Sequence, residues 1–318
     1  MEPLISVIMS TLNTNEDFLR ESIESILNQS YKNLEFIIIV DGGNDDRIIS
    51  SYKDERIKII KHKEPYGLTK SLNEAIKISE GKYIARMDSD DISLVDRFTT
   101  QVEFMEKNKN IDITAMFYKE IGKSNKKTCE VFNKPSELKC KLFFTNVIAH
   151  PSVMIRKEFL DKNKILYNEN YIYSQDFELW TRCSKLCEIA IVPEFGLKYR
   201  IHEKQVSSEK SEIQCNLYYK ILKRNLNELD LNEKNLNYLL MLNGRKKIEN
   251  KKELKQFIKL VIEKNKKIKL YEKNKFEKLL KIYYIIACIR NKKICFLNIN
   301  FIEYAIRKLN VNIRMGGK

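Results

Sequence analysis

The chain has 318 residues, 43% hydrophobic and 10% aromatic, enough to build a large domain and a smaller one and to exclude disordered and fibrous classes. A net charge of +15 would by itself point to nucleic acid or an anionic membrane, but residues 1–209 carry 31 Lys+Arg against 33 Asp+Glu, and residues 210–318 carry 27 against 10. The basic character therefore belongs to the last third, and the shift predicts a catalytic-type domain over 1–209 and a basic helical one over 210–318.

Residues 4–9 form a short apolar run suited to a strand, followed by a polar loop over 10–15. Leu19, Ile23, Ile26 and Leu27 recur at helical spacing. Residues 34–40 are nearly all apolar, as a strand covered on both faces requires, and they end on Asp41-Gly-Gly-Asn-Asp-Asp46. Residues 56–60 predict a third strand, and Leu68, Leu72, Ala75 and Ile76 a second helical face that stops near Gly81. Tyr83, Ile84 and Met87 then read as a fourth strand. This βαβαβαβ order predicts an α/β fold with a mostly parallel sheet flanked by helices.

The fourth strand runs into Asp88, Ser89, Asp90 and Asp91. Carboxylates one residue apart at a strand end can share a hard divalent cation and, through it, the oxygens of a diphosphate. Taken alone, the same residues also make an ordinary solvated acidic loop. Order favours the first reading, because a parallel sheet brings residues 10–13, Asp41 and Asp88/Asp90 to one edge. No G-x-G-x-x-G follows the first strand and no phosphate-binding glycine loop ends in Lys-Ser/Thr. Phosphates are therefore expected to meet a metal and not a glycine cradle.

Ile5-Ser-Val-Ile-Met-Ser-Thr-Leu-Asn13, Ser25-Ile-Leu-Asn-Gln-Ser-Tyr31, Gly67-Leu-Thr-Lys-Ser-Leu-Asn73, Gly81 to Asp91, Asp96-Arg97-Phe98 with Gln101, His150-Pro-Ser-Val-Met154, Ser174-Gln-Asp-Phe-Glu-Leu-Trp180 and Tyr199-Arg-Ile-His202 occur in that order. Over about the first 205 residues this set resembles the family 2 glycosyltransferases of the GT-A fold, and among them bacterial amylovoran and capsule transferases. The resemblance implies a nucleotide-sugar donor, with a UDP-sugar expected, and a glycan or lipid-linked glycan acceptor. It implies that Ser10, Thr11, Leu12 and Asn13 line the nucleotide pocket and that Asp41 contacts the base. Asp88 and Ser89 would lie by the ribose and diphosphate, and Asp90, with Asp88, would hold Mn²⁺ or Mg²⁺. The family commonly has Pro or Thr at the position of Ser10, Tyr at that of Leu12 and Glu at that of Gln175.

Transfer with inversion needs one carboxylate to take the proton of the attacking hydroxyl. Asp176 is the candidate, with Phe177 and Trp180 anchoring a helix start behind it; the same position would also serve as an N-cap. Glu178, two residues on, competes but would point elsewhere. His202, in the Tyr199-Arg-Ile-His motif, is a candidate to complete the metal shell, although a lone histidine is more often a plain hydrogen-bonding residue. His150 is read as shaping the acceptor-side loop and His62 as surface. Arg97 and Gln101, one turn apart, are read as fixing the helix after the acidic loop. Lys70 and Arg86 are the cations expected nearest the phosphates.

In the last third, Leu254, Phe257, Ile258, Val261 and Ile262 form one amphipathic stripe, Phe276, Leu279, Leu280, Tyr283 and Ile286 a second, and Ile302, Ala305, Ile306 and Leu309 a third. They predict a small helical domain with a solvated basic face, or a surface that holds the enzyme at an anionic inner leaflet. The seven cysteines show no Cys-x-x-Cys pair, as expected of reduced thiols. With a start unlike a signal peptide and no spanning run, the expectation is a cytoplasmic protein, peripheral on the membrane's inner face through 210–318. A nucleotidyltransferase shares paired aspartates but needs a basic glycine loop that residues 10–15 do not offer, and no nucleic-acid partner is expected, because the strand ends are acidic.

Overall fold

The computed structural model describes residues 2–123, 127–128, 134–202 and 211–291. The third stripe (Ile302, Ala305, Ile306 and Leu309), Cys129, Cys295 and the charge boundary at 209/210 lie outside the described residues. The chain divides into a first compact unit, Met1–Cys129 with Ile148–Leu217, and a second, Glu130–Val147 with Tyr218–Lys318.

The first unit is built on a nine-stranded sheet. Strands β1 (Ile5–Thr11), β2 (Leu34–Val40), β3 (Ile57–Lys61) and β4 (Tyr83–Arg86) pair in parallel, with β1 between β2 and β4 and β3 outside β2. Helices α1 (Glu16–Leu27), α2 (Asp46–Ile49) and α3 (Leu68–Ile78) are the crossovers. β2 is buried at all seven positions, the condition its nearly all-apolar run anticipates, and each of its six apolar side chains contributes ~1.5–3 kcal/mol of burial. Ile5, Val7, Met9, Tyr83, Ala85 and Met87 pack with Leu19, Ile23 and Ile26 of α1 and with Phe98, Val102 and Met105 of α4 (Arg97–Lys107). By the period of two, Ile84 and Arg86 face the other side of the sheet.

Beyond β4 the pairing becomes mixed. β8 (Met154–Arg156) runs antiparallel to β4 and to β6 (Ile111–Gly122), and β9 (Glu188–Ile201) runs parallel to β6 along nearly its whole length. The two-residue strands β5 (Ile92–Ser93) and β7 (Lys127–Thr128) close against β9 and β6. The sheet is thus continuously parallel across β1 to β4 and mixed beyond them, with β6 and β9 a further parallel pair.

Gly81 does not stop a helix. Helix α3 has already ended at Ile78, and Gly81 lies flat against β1, where a Cβ would come 2.5 Å from the Ser6 nitrogen. The third strand lies one residue later than its apolar pattern indicates, at Ile57–Lys61.

The second unit joins α5 (Pro135–Leu142) to helices α8 (Ser211–Asn227, from Tyr218 on), α9 (Leu236–Leu242), α10 (Lys251–Ile268) and α11 (Lys273–Asn291). Its core is aromatic: Phe144 stacks on Tyr283 at 4.2 Å, Tyr271 on Phe276 at 4.4 Å, and Phe143 meets Phe276 edge-on at 5.3 Å. Those rings draw residues 130–147 out of the first unit's sequence and into the second. Both described stripes point inward, with Leu254, Phe257, Ile258 and Val261 buried on α10 and Phe276, Leu279, Leu280, Tyr283 and Ile286 on α11. Ile262 is only partly buried. No described helix is long and apolar enough to cross a membrane.

Candidate active site

The chain leaves β4 through the buried Arg86 and Met87 and turns at Asp88-Ser-Asp-Asp91. One oxygen from each of Asp88, Asp90 and Asp91 falls within a 4.8 Å cluster. Asp91 is fully buried, and its Oδ2 has no hydrogen-bond partner. Burial and the neighbouring Asp88 push the Asp90 carboxyl above its usual range, against the pull of His202 and Arg86. Burial, Asp88 and Asp90 push Asp91 well above its range, with the Arg200 N–H opposing. A partly buried trio of mutually repelling oxygens, with Asp91 fully buried and one of its oxygens without a donor, fits a hard divalent cation. The residues present thus suit Mn²⁺ or Mg²⁺, and the structure adds Asp91 to Asp88 and Asp90.

Cations and strands hold the trio. Arg86 is ion-paired to Asp88, and its Nε and Nη1 have no partner. Arg200, near the end of β9, donates its backbone N–H to Asp91 Oδ1 at 2.8 Å and its Nε–H to the Asp90 carbonyl at 2.8 Å. Its guanidinium lies 4.2 Å from the Phe18 ring centroid and is ion-paired to Glu21, which ties the acidic loop to α1. His202 Nε2 lies 2.8 Å from Asp90 Oδ2, so the two metal-ligand candidates share one hydrogen bond. Of the two cations expected near the phosphates, Arg86 is in the cluster and Lys70 is exposed on α3.

The loop over 10–13 is fixed from below. Thr11 is buried and donates to Asp45, which also accepts the Thr14 N–H at 3.1 Å; the Thr14 hydroxyl lies 2.8 Å from that of Ser89. The Thr11 side chain is therefore engaged inside the protein, Ser10 is half-buried, and Leu12 and Asn13 are the exposed members. Asn13 sits over Gly43, whose φ of +76° and lack of a Cβ are both required: a methyl there would lie 2.3 Å from Asn13 Oδ1.

Asp41 is 2% exposed at the end of β2 and accepts the N–H groups of Tyr66 and Gly67, each at 2.8 Å. Its Oδ1 also meets His62 Nδ1 at 2.8 Å, while His62 Nε2 meets Glu74 at 2.7 Å. His62 is consequently a buried bridge and not the surface residue its polar surroundings in sequence indicate. Burial opposes the charged form of both partners, but the hydrogen bonds prevail, holding Asp41 below the usual carboxylate range and His62 above the usual imidazole range.

Asp176 lies in the first turn of α7 (Gln175–Cys183), partly exposed, with Ser174 at the N-cap; its Oδ1 accepts the Phe177 N–H at 2.7 Å. The competing Glu178 is 1% exposed and committed to Arg182 at 2.9 Å. Phe177 and Trp180 are buried behind them, as an anchor requires. His150 is buried, 2.6 Å from the Tyr167 hydroxyl and edge-on to Trp180, and burial followed by the Arg86 charge keeps it well below its usual pKa. Burial raises the Tyr167 hydroxyl above its usual range, opposed by the Arg86 charge and reinforced by those of Asp176 and Asp88. Arg97 and Gln101 are buried girders: Arg97 donates to the carbonyls of Arg86 and Val153, and Gln101 to that of Ser152. Sequence reasoning passed over Asp45, Tyr167 and the Arg200 clamp. Asp45 sits in a visible Asp-rich turn, whereas Tyr167 has no local signal.

A parallel strand end carrying clustered carboxylates, with Arg86 paired to Asp88, is the arrangement that the resemblance to GT-A enzymes leads one to expect. The Glycosyl transferase family 2 model matches residues 6–163. An uncharacterized glycosyltransferase of Methanocaldococcus jannaschii is 41% identical over 209 residues, spanning 63% of this chain and 71% of that one. The Escherichia coli UDP-Glc:alpha-D-GlcNAc-diphosphoundecaprenol beta-1,3-glucosyltransferase WfaP is 31% identical over 211 residues, spanning 65% and 81%. The S. aureus TarS 1–349 structure in complex with UDP-GlcNAc superposes with a TM-score of 0.59 at 18% identity, covering 96% of this chain and 91% of that one. The chain belongs to glycosyl transferase family 2 and is a glycosyltransferase.

Proposed function

We propose that the protein moves a sugar from a UDP-linked donor to a hydroxyl of a growing, lipid-linked bacterial surface glycan, in one displacement that inverts the anomeric carbon. The observation that carries the reading is the trio Asp88, Asp90 and Asp91, gathered within 4.8 Å at the end of β4. Support for the donor and acceptor classes comes from the WfaP relative, named for UDP-glucose and a diphosphoundecaprenol-linked acceptor.

Asp90, Asp88 and Asp91 would hold Mn²⁺ or Mg²⁺, with His202 orienting Asp90 through their shared hydrogen bond. When bound, the ion supplies Lewis-acid neutralisation of the leaving diphosphate. Leu12 and Asn13 contact the nucleotide beside Ser10; Asp41, its other lone pairs taken, offers the base what remains of Oδ2; and Ser89 and Asp88 meet the ribose and diphosphate. Asp176 accepts the proton of the attacking hydroxyl as the new C1–O bond forms and the C1–O bond to phosphate breaks, its electron pair leaving with UDP. The solvated lysines of α10, among them Lys251, Lys252 and Lys259, would keep the enzyme at an anionic inner leaflet, where a lipid-linked acceptor resides.

The test is a panel of UDP-, GDP-, TDP- and CMP-sugars, scored for Mn²⁺-dependent thermal stabilisation and slow donor hydrolysis. One UDP-sugar should stabilise wild type only with metal; Asp90→Ala should abolish this, and Asp176→Asn should bind without turnover. Stabilisation by no sugar nucleotide in any metal would defeat the proposal.

A further inference from the structure

The turn that delivers Asp176 is backbone-strained and tied from a distant part of the sequence. Tyr173 has φ 72°, left-handed for a bulky side chain, and such a conformation persists only where surrounding contacts impose it. Ser174, the N-cap of α7, makes no side-chain cap; its hydroxyl lies 3.5 Å from the Gln214 carbonyl instead. Gln214, in the first turn of α8, donates Nε2–H to the Tyr173 carbonyl at 3.0 Å. One side chain 41 positions away thus grips the carbonyl of the strained residue, three residues before the carboxylate in question.

We infer that Gln214 is a positioning residue for sugar transfer, holding the Tyr173–Ser174 peptide so that α7 begins where Asp176 can meet the acceptor hydroxyl. The inference rests on the reading of Asp176 as the base. Its physical basis is that the bond fixes the rotation of the peptide at the helix entry, and the Asp176 side chain springs from the first turn, with only Ser174 and the helical, buried Gln175 between. A carboxylate displaced by about 1 Å from its proton loses on the order of a hundredfold in rate, while the fold, held by the buried Phe177, Leu179 and Trp180, does not depend on that one bond. A purely structural strut would instead show itself as lost stability.

The experiment compares Gln214→Ala, Gln214→Glu and Gln214→Lys in the full chain, using the sugar nucleotide that wild type hydrolyses in the panel. Gln214→Glu keeps the shape and removes the donor; Gln214→Lys restores one. The Ala and Glu variants should lose roughly ten- to a hundredfold in kcat with donor KM and melting temperature near wild type, and the Lys variant should recover part of the loss. Unchanged kcat in the Glu variant, or a fall matched by lost stability and donor affinity, overturns the inference. Asp176→Asn separates the two claims: a variant that still turns over removes the base itself, whereas an inactive Asp176→Asn beside a fully active Gln214→Glu removes only the role of Gln214.

Discussion

Replacing Arg200 by Ala tests whether the acidic trio is held by β9 or holds itself. The variant keeps the backbone N–H to Asp91 and loses, among its side-chain contacts, the charged hydrogen bond to the Asp90 carbonyl, the stack on Phe18 and the pair with Glu21. A charge-assisted hydrogen bond contributes ~1.5–3 kcal/mol. The cation–π contact adds ~0.5–1 kcal/mol, and the pair with Glu21, half-exposed, only ~0–1 kcal/mol. Contacts made by one side chain do not add, so the net loss is about 2–3 kcal/mol, a fall of roughly 4–12 °C in melting temperature for a unit of this size. The Asp90 carbonyl is then free to turn, and Mn²⁺ affinity should drop about tenfold to a hundredfold, as for other residues that orient ligands from behind. Scanning fluorimetry and titration calorimetry read the two effects, with Arg200→Lys recovering only the ion pair because a single ammonium cannot reproduce the fork. Melting within about 1 °C of wild type, with Mn²⁺ affinity intact, would refute the clamp.

Stability should also pass through a maximum in pH set by the His62–Asp41 pair. The raised pKa of His62 makes its contribution complete below its ordinary value of 6.5 and lost as pH rises through the raised one; the lowered pKa of Asp41 makes its contribution complete above 3.8 and lost as pH falls through the lowered one. Melting curves of wild type should therefore decline above neutrality, a decline that His62→Asn lacks; parallel curves would refute it. Gly43→Ala should cost about 1–2 kcal/mol for the left-handed backbone alone and should raise the donor KM by pushing Asn13 aside, measured by melting and by donor kinetics. Co-sedimentation with vesicles should require anionic lipid and fade as salt rises; binding indifferent to both would remove the membrane role of the basic helices.

The parallel half of the sheet was legible because β1, β2 and β4 are buried, mainly apolar runs bounded by turn residues, and β2, at Leu34–Val40, was delimited to the residue, whereas the partly exposed edge strand β3 was placed one residue early. Asp88 and Asp90 were legible for the same reason, since a strand that stops on carboxylates announces its own ligand end, whereas the part of Asp91 in the cluster came from the structure. What could not be read locally was anything set by long-range pairing. The insertion of β8 between β4 and β6, the transfer of residues 130–147 to the aromatic core of the second unit, and the burial of His62 each depend on partners far away in sequence. His62 is the clearest case: its neighbours Lys61, Lys63 and Glu64 are exposed, and only the fold brings Asp41 and Glu74 to its two nitrogens.

The long parallel ladder between β6 and β9 also governs when the site can exist. Arg200 and His202 reach Asp90 across separations of 110 and 112 residues, among the longest loops closed by a side chain in the first unit. A ribosome adds residues N-terminal first, at about 5–20 per second, so β1 to β4 can assemble seconds before β9 leaves the exit tunnel. Until then Asp88, Asp90 and Asp91 lack the contacts of Arg200 and His202, and closing so wide a loop is slow because its entropy is lost before its contacts form. The acidic cluster as described is accordingly a late product of the nascent chain, complete when the strand carrying Arg200 lies beside β6.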